Sequence, residues 1–284
     1  MGTTEFKIIA GSLKFHLQAW GNPARPPLLL LHGLASTSHM FDLIAPVLAE
    51  HFYVLAVDQR GHGLSDKPDT GYDFETVAVD IDHLLGALQL SATPISLIGH
   101  SWGAYTALYY AATRPHTLTK VGLIDGGIRS LQDIYPTWAE AEIGMAPPQY
   151  VHMTIEAIRR MIRAQWLRDA YRPELEPLAL SVFDLSDEQA VSPHLSRKNH
   201  MEIAHQIWAF NPVDYYERIQ CPVLIVNAIP SGDTPDPKVI QATREAERHL
   251  RDVEIIWMGN TIHDIPWHRP GELSMALQKF LLAK

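Results

Sequence analysis

LIGHSWGAY, residues 97–105, joins two unlike stretches of chain. The apolar run PISLI (94–98) leads into it, and AYTALYYAAT (104–113) follows until Arg114-Pro115 ends the pattern. The first reads as a short buried strand and the second as a helix. An ordinary strand-to-helix turn does not need Gly99 and Gly103 placed two residues either side of Ser101. A tight, strained turn that holds a serine hydroxyl clear of the sheet does. Side chains at positions 99 and 103 would collide with the neighbouring strand and helix, and glycine removes them. The serine also lands at a helix N-terminus, where free N–H groups and the helix dipole favour negative charge.

The same rhythm runs outward in both directions. Phe6–Ala10 and Leu13–Trp20 read as a hairpin turned at Gly11-Ser12. LLLL (28–31), YVLAV (53–57) and KVGLI (120–124) read as buried strands, with helical patterns at MFDLIAPVLAE (40–50) and FETVAVDIDHLLGAL (74–88) between them. Short strands without alternation, separated by helices, predict a mostly parallel sheet with helices on both faces, an α/β fold. From 129 to 220 no convincing strand occurs. IEAIRRMIRAQWLRDAY and NHMEIAHQIWAF are helical in pattern, and Pro147-Pro148, Pro173 and Pro177 cut the segment into short pieces. The sheet pattern resumes at CPVLIV (221–226), followed by a helix near 237–250, the strand VEIIWM (253–258) and a last helix after Pro270.

A serine hydroxyl is a poor nucleophile without a base in hydrogen-bond reach and a third group that orients the base. Of fifteen histidines, His263 is the best base. It follows VEIIWM on a loop at the carboxyl edge of the sheet, where ligands bind in open α/β folds. His268 abuts Arg269-Pro270 and reads as a surface or capping residue, and His62 and His100 read as packing support. Asp125, in Leu123-Ile124-Asp125-Gly126-Gly127, is preferred as the third group. Asp233, 30 residues before His263 in Ser231-Gly232-Asp233-Thr234-Pro235, is the alternative.

These motifs resemble the α/β-hydrolase superfamily over essentially the whole chain. Leu30-Leu31-His32-Gly33-Leu34 is similar to its His-Gly loop after the third strand, and Asp58-Gln59-Arg60-Gly61-His62-Gly63-Leu64-Ser65 to the loop after the fourth. Gly99-His100-Ser101-Trp102-Gly103 resembles its nucleophile elbow, and Ile262-His263-Asp264 its histidine loop. The resemblance implies a core formed by 1–128 and 221–284, with 129–220 as a helical cap between strands six and seven. It implies an oxyanion hole made by the backbone N–H groups of Leu34 and Trp102. Most members carry the acid after strand seven in a Gly-x-x-Asp turn. Here Asn227 stands for the glycine and the Thr-Pro pair aligns Ser231 with the acid, whereas some members carry it after strand six, where Asp125 lies. Epoxide hydrolases and dehalogenases of this fold use aspartate where Ser101 stands, so a serine implies acyl transfer to water.

The expected activity is hydrolysis of small to medium, fairly apolar carboxylic esters through an acyl-enzyme on Ser101. The same triad also serves carbon–carbon bond hydrolases, lactonases and perhydrolases, and some members of the superfamily are ligand receptors that do not turn over. Trp138, Met145, Met153, Met161, Trp166 and Trp208 are mainly the core of the helical layer, with a few lining a pocket over Ser101. Arg159, Arg160, Arg163 and Arg168 read as a solvated helix face. The bulk properties agree with a small-molecule enzyme. A formal charge of −9 over 284 residues argues against nucleic-acid and anionic-membrane partners. The single Cys221 excludes an internal disulfide and reads as a small buried residue. No metal-ligand spacing is present, so neither metal nor cofactor is expected. The N-terminal residues show no leader pattern, and a soluble, cytoplasmic protein is expected.

Overall fold

The computed structural model describes residues 2–150, 153–187, 190–230 and 234–283. Eight strands form one sheet: β1 (Thr4–Ala10), β2 (Leu13–Trp20), β3 (Pro27–Leu31), β4 (Tyr53–Val57), β5 (Ile95–His100), β6 (Leu118–Ile124), β7 (Val223–Ile229) and β8 (Val253–Gly259). Their order is β1-β2-β4-β3-β5-β6-β7-β8. β2 is antiparallel to both β1 and β4, and all other neighbours are parallel.

The absence of alternation in the strands has a direct cause. Successive side chains point to opposite faces, and both faces are covered. Leu28, Leu30, Val54, Ala56 and Ile98 pack with Trp267, Leu277 and Phe280 on one side. Leu29, Leu31, Leu55, Val57 and Leu97 pack with Phe74, Ile81 and Leu108 on the other. The helix Phe74–Ala87 is started by Asp73, whose carboxylate accepts the Thr76 N–H at 2.9 Å.

Two expectations need correction. MFDLIAPVLAE is not one helix but a 3-10 turn at Ser38–Phe41 and a short helix at Ala45–Leu48. Pro46 lacks the N–H that a continuous helix would donate to Asp42, so the chain restarts at Ala45. Within 129–220, Phe183–Asp184 and Ser192–Pro193 pair as a two-residue antiparallel ribbon. The rest of the described segment is built of short helices, the longest being Arg197–Ala209.

Register aligns the carboxyl ends of four parallel strands. Leu31 pairs with Gly99, His100 with Ile124, and Ile124 with Val226. His32, Ser101, Asp125 and Asn227 therefore follow one another across the same edge.

Candidate active site

Ser101 stands between β5 and the helix Trp102–Thr113 with φ 54° and ψ −118°. A side chain rarely adopts this conformation, which costs about 1–3 kcal/mol and persists only where the surroundings enforce it. The enforcement is visible. The Ser101 N–H donates to the Ile124 carbonyl at 2.9 Å, across the end of β6. A Cβ on Gly99 would strike the Gly103 carbonyl, and one on Gly103 would strike the Leu31 carbonyl at the end of β3. The turn can close only with glycine at both places.

Asp125 follows β6 with φ 43°. Its N–H donates to the Val226 carbonyl at 2.7 Å, and its Oδ1 accepts the Ala228 N–H at 2.9 Å. Its Oδ2 lies 2.6 Å from His263 Nδ1. A carboxylate only accepts, so Nδ1 carries the proton and Nε2 is left with its lone pair free. Burial raises the Asp125 pKa, but the His263 bond and charge, the Ala228 N–H and His100 outweigh it and leave the pKa lowered. Burial likewise opposes the His263 imidazolium, yet the Asp125 bond and charge, with Asp264, leave the His263 pKa raised. The His263 side chain is 54% exposed, but the surface it offers belongs to a cavity rather than to the outer face of the protein.

That cavity has a volume of about 1010 Å³. Ser101, His263, Leu34 and His62 from the sheet edge line it, as do Trp166 and Phe183 from the inserted segment. Its walls are mainly apolar, as expected of a small-molecule site. The loop after β3 lies directly over Ser101: a Cβ on Gly33 would be 2.9 Å from Ser101 Cβ and 3.4 Å from Oγ. Trp102 opens its helix, so its N–H has no carbonyl four residues back within that helix.

The loop after β4 holds this arrangement in place, which the sequence did not disclose beyond a motif match. Gln59 donates its N–H to His32 Nε2 at 3.0 Å and its Nε2–H to the His32 carbonyl at 2.7 Å. His62 donates through Nδ1 to the Arg60 carbonyl at 2.9 Å, so its Nε2 accepts the Ala35 N–H at 3.2 Å. Burial, with His32 nearby, pushes the His62 pKa well below its ordinary value and keeps that acceptor available. Asp58 ties three elements together, accepting from Ser38 N–H at 2.7 Å, Leu64 N–H at 2.9 Å and His16 Nδ1 at 2.8 Å. Burial works against its charge, but these donors, with His32, hold its pKa far below the usual carboxylate range. A depressed pKa gives stability that is present above the unfolded value and lost as pH falls through the folded one. Asp58→Ala is expected to cost about 3–5 kcal/mol, because two buried donors, His16 and Ser38, and the part-buried Leu64 N–H lose their acceptor. A urea midpoint displaced by less than one kcal/mol equivalent, at unchanged slope, would contradict this.

Other candidates fall into supporting places. His100 donates through Nε2 to the His263 carbonyl at 3.0 Å, and burial, with His263 beside it, lowers its pKa. His268 Nδ1 accepts the Ile262 N–H at 3.2 Å and braces the histidine loop. Asn227 turns away from the cavity to Thr243 at 3.0 Å. Met161 and Trp166 line the cavity, whereas Trp138 and Trp208 pack on each other with ring centres 5.8 Å apart. Arg159 and Arg163 pair with Glu176 on the outside, at 3.5 and 2.6 Å. Ser231 and Asp233 lie outside the described residues. Among the described residues no group of three or more His, Cys, Asp or Glu side chains could hold a metal, and no helix is long and apolar enough to cross a membrane.

A family model described as the alpha/beta hydrolase fold matches residues 26–238. The chain belongs to this family. It is similar over 100 residues, at 42% identity, to the 2-(acetamidomethylene)succinate hydrolase of Mesorhizobium japonicum, a match covering 35% of each chain. Matches to the curated relatives with the strongest local similarity span only about a third to a half of those proteins' lengths. Similarity to the N-formylmaleamate deformylase of Pseudomonas putida is lower, 26%, but runs over 92% of this chain and 90% of that one. Among solved structures, E-2-(acetamidomethylene)succinate hydrolase superposes with a TM-score of 0.81 at 25% identity, covering 99% of this chain and 100% of that one.

Proposed function

We propose that this alpha/beta hydrolase is a serine hydrolase of small to medium, fairly apolar carboxylic esters, with residues 129–220 as its cap. The observation that carries the reading is the 2.6 Å contact between His263 Nδ1 and Asp125, formed beside a serine held at φ 54° in the same cavity. Ser101 Oγ attacks the ester carbonyl while His263 Nε2 takes its proton. The Leu34 and Trp102 N–H groups receive the oxyanion of the tetrahedral intermediate. Its collapse breaks the bond to the alcohol, which leaves with the proton from His263. Water, deprotonated by His263, then attacks the acyl-enzyme, releases the acid and restores Ser101. The oxyanion donors matter because the charge they meet develops only in the transition state. The apolar walls of the cavity support a fairly apolar acyl or alcohol group.

One observation favours a second substrate class. Arg197 lines the cavity and its guanidinium donates to the Pro147 carbonyl at 3.2 Å. With the hydrolase of 2-(acetamidomethylene)succinate and the deformylase of N-formylmaleamate among the relatives, this supports substrates that carry a carboxylate beside the scissile acyl bond. Burst kinetics decide between the readings. p-Nitrophenyl acetate and butyrate are expected to give a stoichiometric burst followed by steady turnover. A mono-p-nitrophenyl succinate cleaved faster than the butyrate would transfer the proposal to anionic substrates. A burst without turnover would favour a ligand receptor on the same fold.

A further inference from the structure

The inserted segment reaches the histidine loop by an unusual local geometry. The helix Ile155–Met161 continues into a π-helical turn over Ile162–Leu167, and Arg168 follows with φ 46°. In a regular helix the buried stripe Ile158, Ile162 would continue at position 166, four residues on. The wider turn moves that place to Leu167, and Ile158, Ile162 and Leu167 are all fully buried. Trp166 is thereby displaced from the stripe onto the cavity wall. Single π turns of this kind are frequent at functional sites.

The displaced indole has a specific partner. Trp166 Nε1–H donates to Asp264 Oδ2 at 2.8 Å, and Asp264 is the residue after His263. The Trp166 ring also leans on Trp267, with centres 5.6 Å apart. Trp267 is buried and donates its own Nε1–H to the His39 carbonyl at 3.2 Å. A second tie comes from Arg172, whose guanidinium donates to the Trp267 carbonyl at 2.6 Å. On the opposite side, His100 donates to the His263 carbonyl at 3.0 Å. The histidine loop is therefore gripped between the sheet edge and the inserted segment. The Asp264 carbonyl accepts the N–H groups of Trp267 and His268, at 3.0 and 3.1 Å, so its backbone is fixed while its side chain faces Trp166.

We propose that Trp166 is a positioning residue for His263: its N–H bond to Asp264 holds the histidine loop at the register where His263 meets Asp125. The inference deepens the proposed triad and rests on it. It makes the seating of the cap a condition for an aligned base, since Trp166 belongs to the cap and Asp264 to the core.

Trp166→Phe keeps an aromatic wall and its packing on Trp267 but removes the donor. It is expected to lower kcat on p-nitrophenyl butyrate by about 10- to 100-fold with KM nearly unchanged, because displacing a catalytic group by an ångström costs up to ~100-fold. Asp264→Asn, which keeps an oxygen acceptor for the indole, is expected to retain most of kcat. Asp264→Leu is expected to match Trp166→Phe, and the double variant Trp166→Phe/Asp264→Leu to lose no more than either alone. If Trp166→Phe does not fold, the contrast between Asp264→Asn and Asp264→Leu carries the test. A change confined to KM, or fully additive losses, would reduce Trp166 to a wall of the pocket and overturn the inference. The downfield proton resonance of His263 Nδ1–H, read by NMR without substrate, separates this failure from that of the proposed reaction. It is expected in the wild type and broadened in Trp166→Phe even if no ester is turned over. A resonance unchanged by the substitution would also sink the inference.

Discussion

Replacing Ser101 by alanine is expected to abolish the p-nitrophenol burst and to lower turnover by about 10⁶-fold, the scale on which a serine triad fails when its nucleophile is removed. The remaining rate would come from substrate binding and from the proposed oxyanion donors, the Leu34 and Trp102 N–H groups, which do not depend on the hydroxyl. Folding is expected to survive, because the Ser101 N–H to Ile124 bond and the close packing of Gly99 and Gly103 involve backbone alone. The strained φ of 54° gives a second readout. Ser101→Gly should also be inactive but more stable than Ser101→Ala, by up to the ~1–3 kcal/mol that such a conformation costs a residue with a Cβ. A burst that persists in Ser101→Ala would mean that the acyl group is carried elsewhere, and the proposed reaction would fall. Equal stability of the two variants would mean that the turn stores no strain.

The parts of this site that were legible in the sequence are those whose chemistry demands fixed residue types at fixed spacing. The elbow is one, since Gly99 and Gly103 answer to collisions with neighbouring backbone. The apolar strands are another, because burial on both faces erases alternation and leaves a recognisable run. For the proposed acid the sequence offers a choice, with Asp125 preferred and Asp233 the alternative. A carboxylate has merely to reach Nδ1 of His263, and β6 and β7 are neighbours whose ends lie at the same edge, so Asp125 and Asp233 satisfy the same spacing logic. MFDLIAPVLAE misled because its apolar period continues through Pro46, while hydrogen bonding does not. The contact between Trp166 and Asp264 was out of reach for a different reason. The stripe Ile158, Ile162 places position 166 in the core, and only the π turn, which leaves no mark on residue type, moves Leu167 there instead. The supporting roles of Gln59 and His62 were likewise hidden, since each bond joins a backbone group to a side chain across two loops, Gln59 to the His32 ring and carbonyl and His62 to the Ala35 N–H, and leaves no spacing pattern.

Asp125→Asn is expected to lower kcat by about 10⁴-fold, the cost seen when a triad aspartate becomes asparagine and the histidine is held in the wrong tautomer. The asparagine amide would offer N–H where the carboxylate offered only an acceptor. His263 would then accept at Nδ1 and carry its proton on Nε2, where it cannot take the proton of Ser101. The pH profile should move as well, and its sign follows from the groups around His263. Asp125 and Asp264 favour the imidazolium, whereas burial and Arg129 oppose it, and His100 lies with its ring centre 4.8 Å away. The balance raises the His263 pKa above 6.5. The base must be neutral to act, so kcat/KM of the wild type should rise with pH through a midpoint above 6.5. Loss of the Asp125 charge should carry that midpoint downward while lowering the plateau. The same raised pKa means that the imidazolium side of the Asp125–His263 pair contributes fully below 6.5 and is lost as pH rises through the folded value of His263, while the lowered Asp125 pKa sets the acid limit, where the contribution is lost as pH falls through the folded value of Asp125. Asp233→Ala should leave both kcat and the profile near wild type. The opposite ranking, with Asp233→Ala crippled and Asp125→Asn active, would give the acid to the loop after β7 and leave the contact of 2.6 Å between Asp125 and His263 as a structural bond.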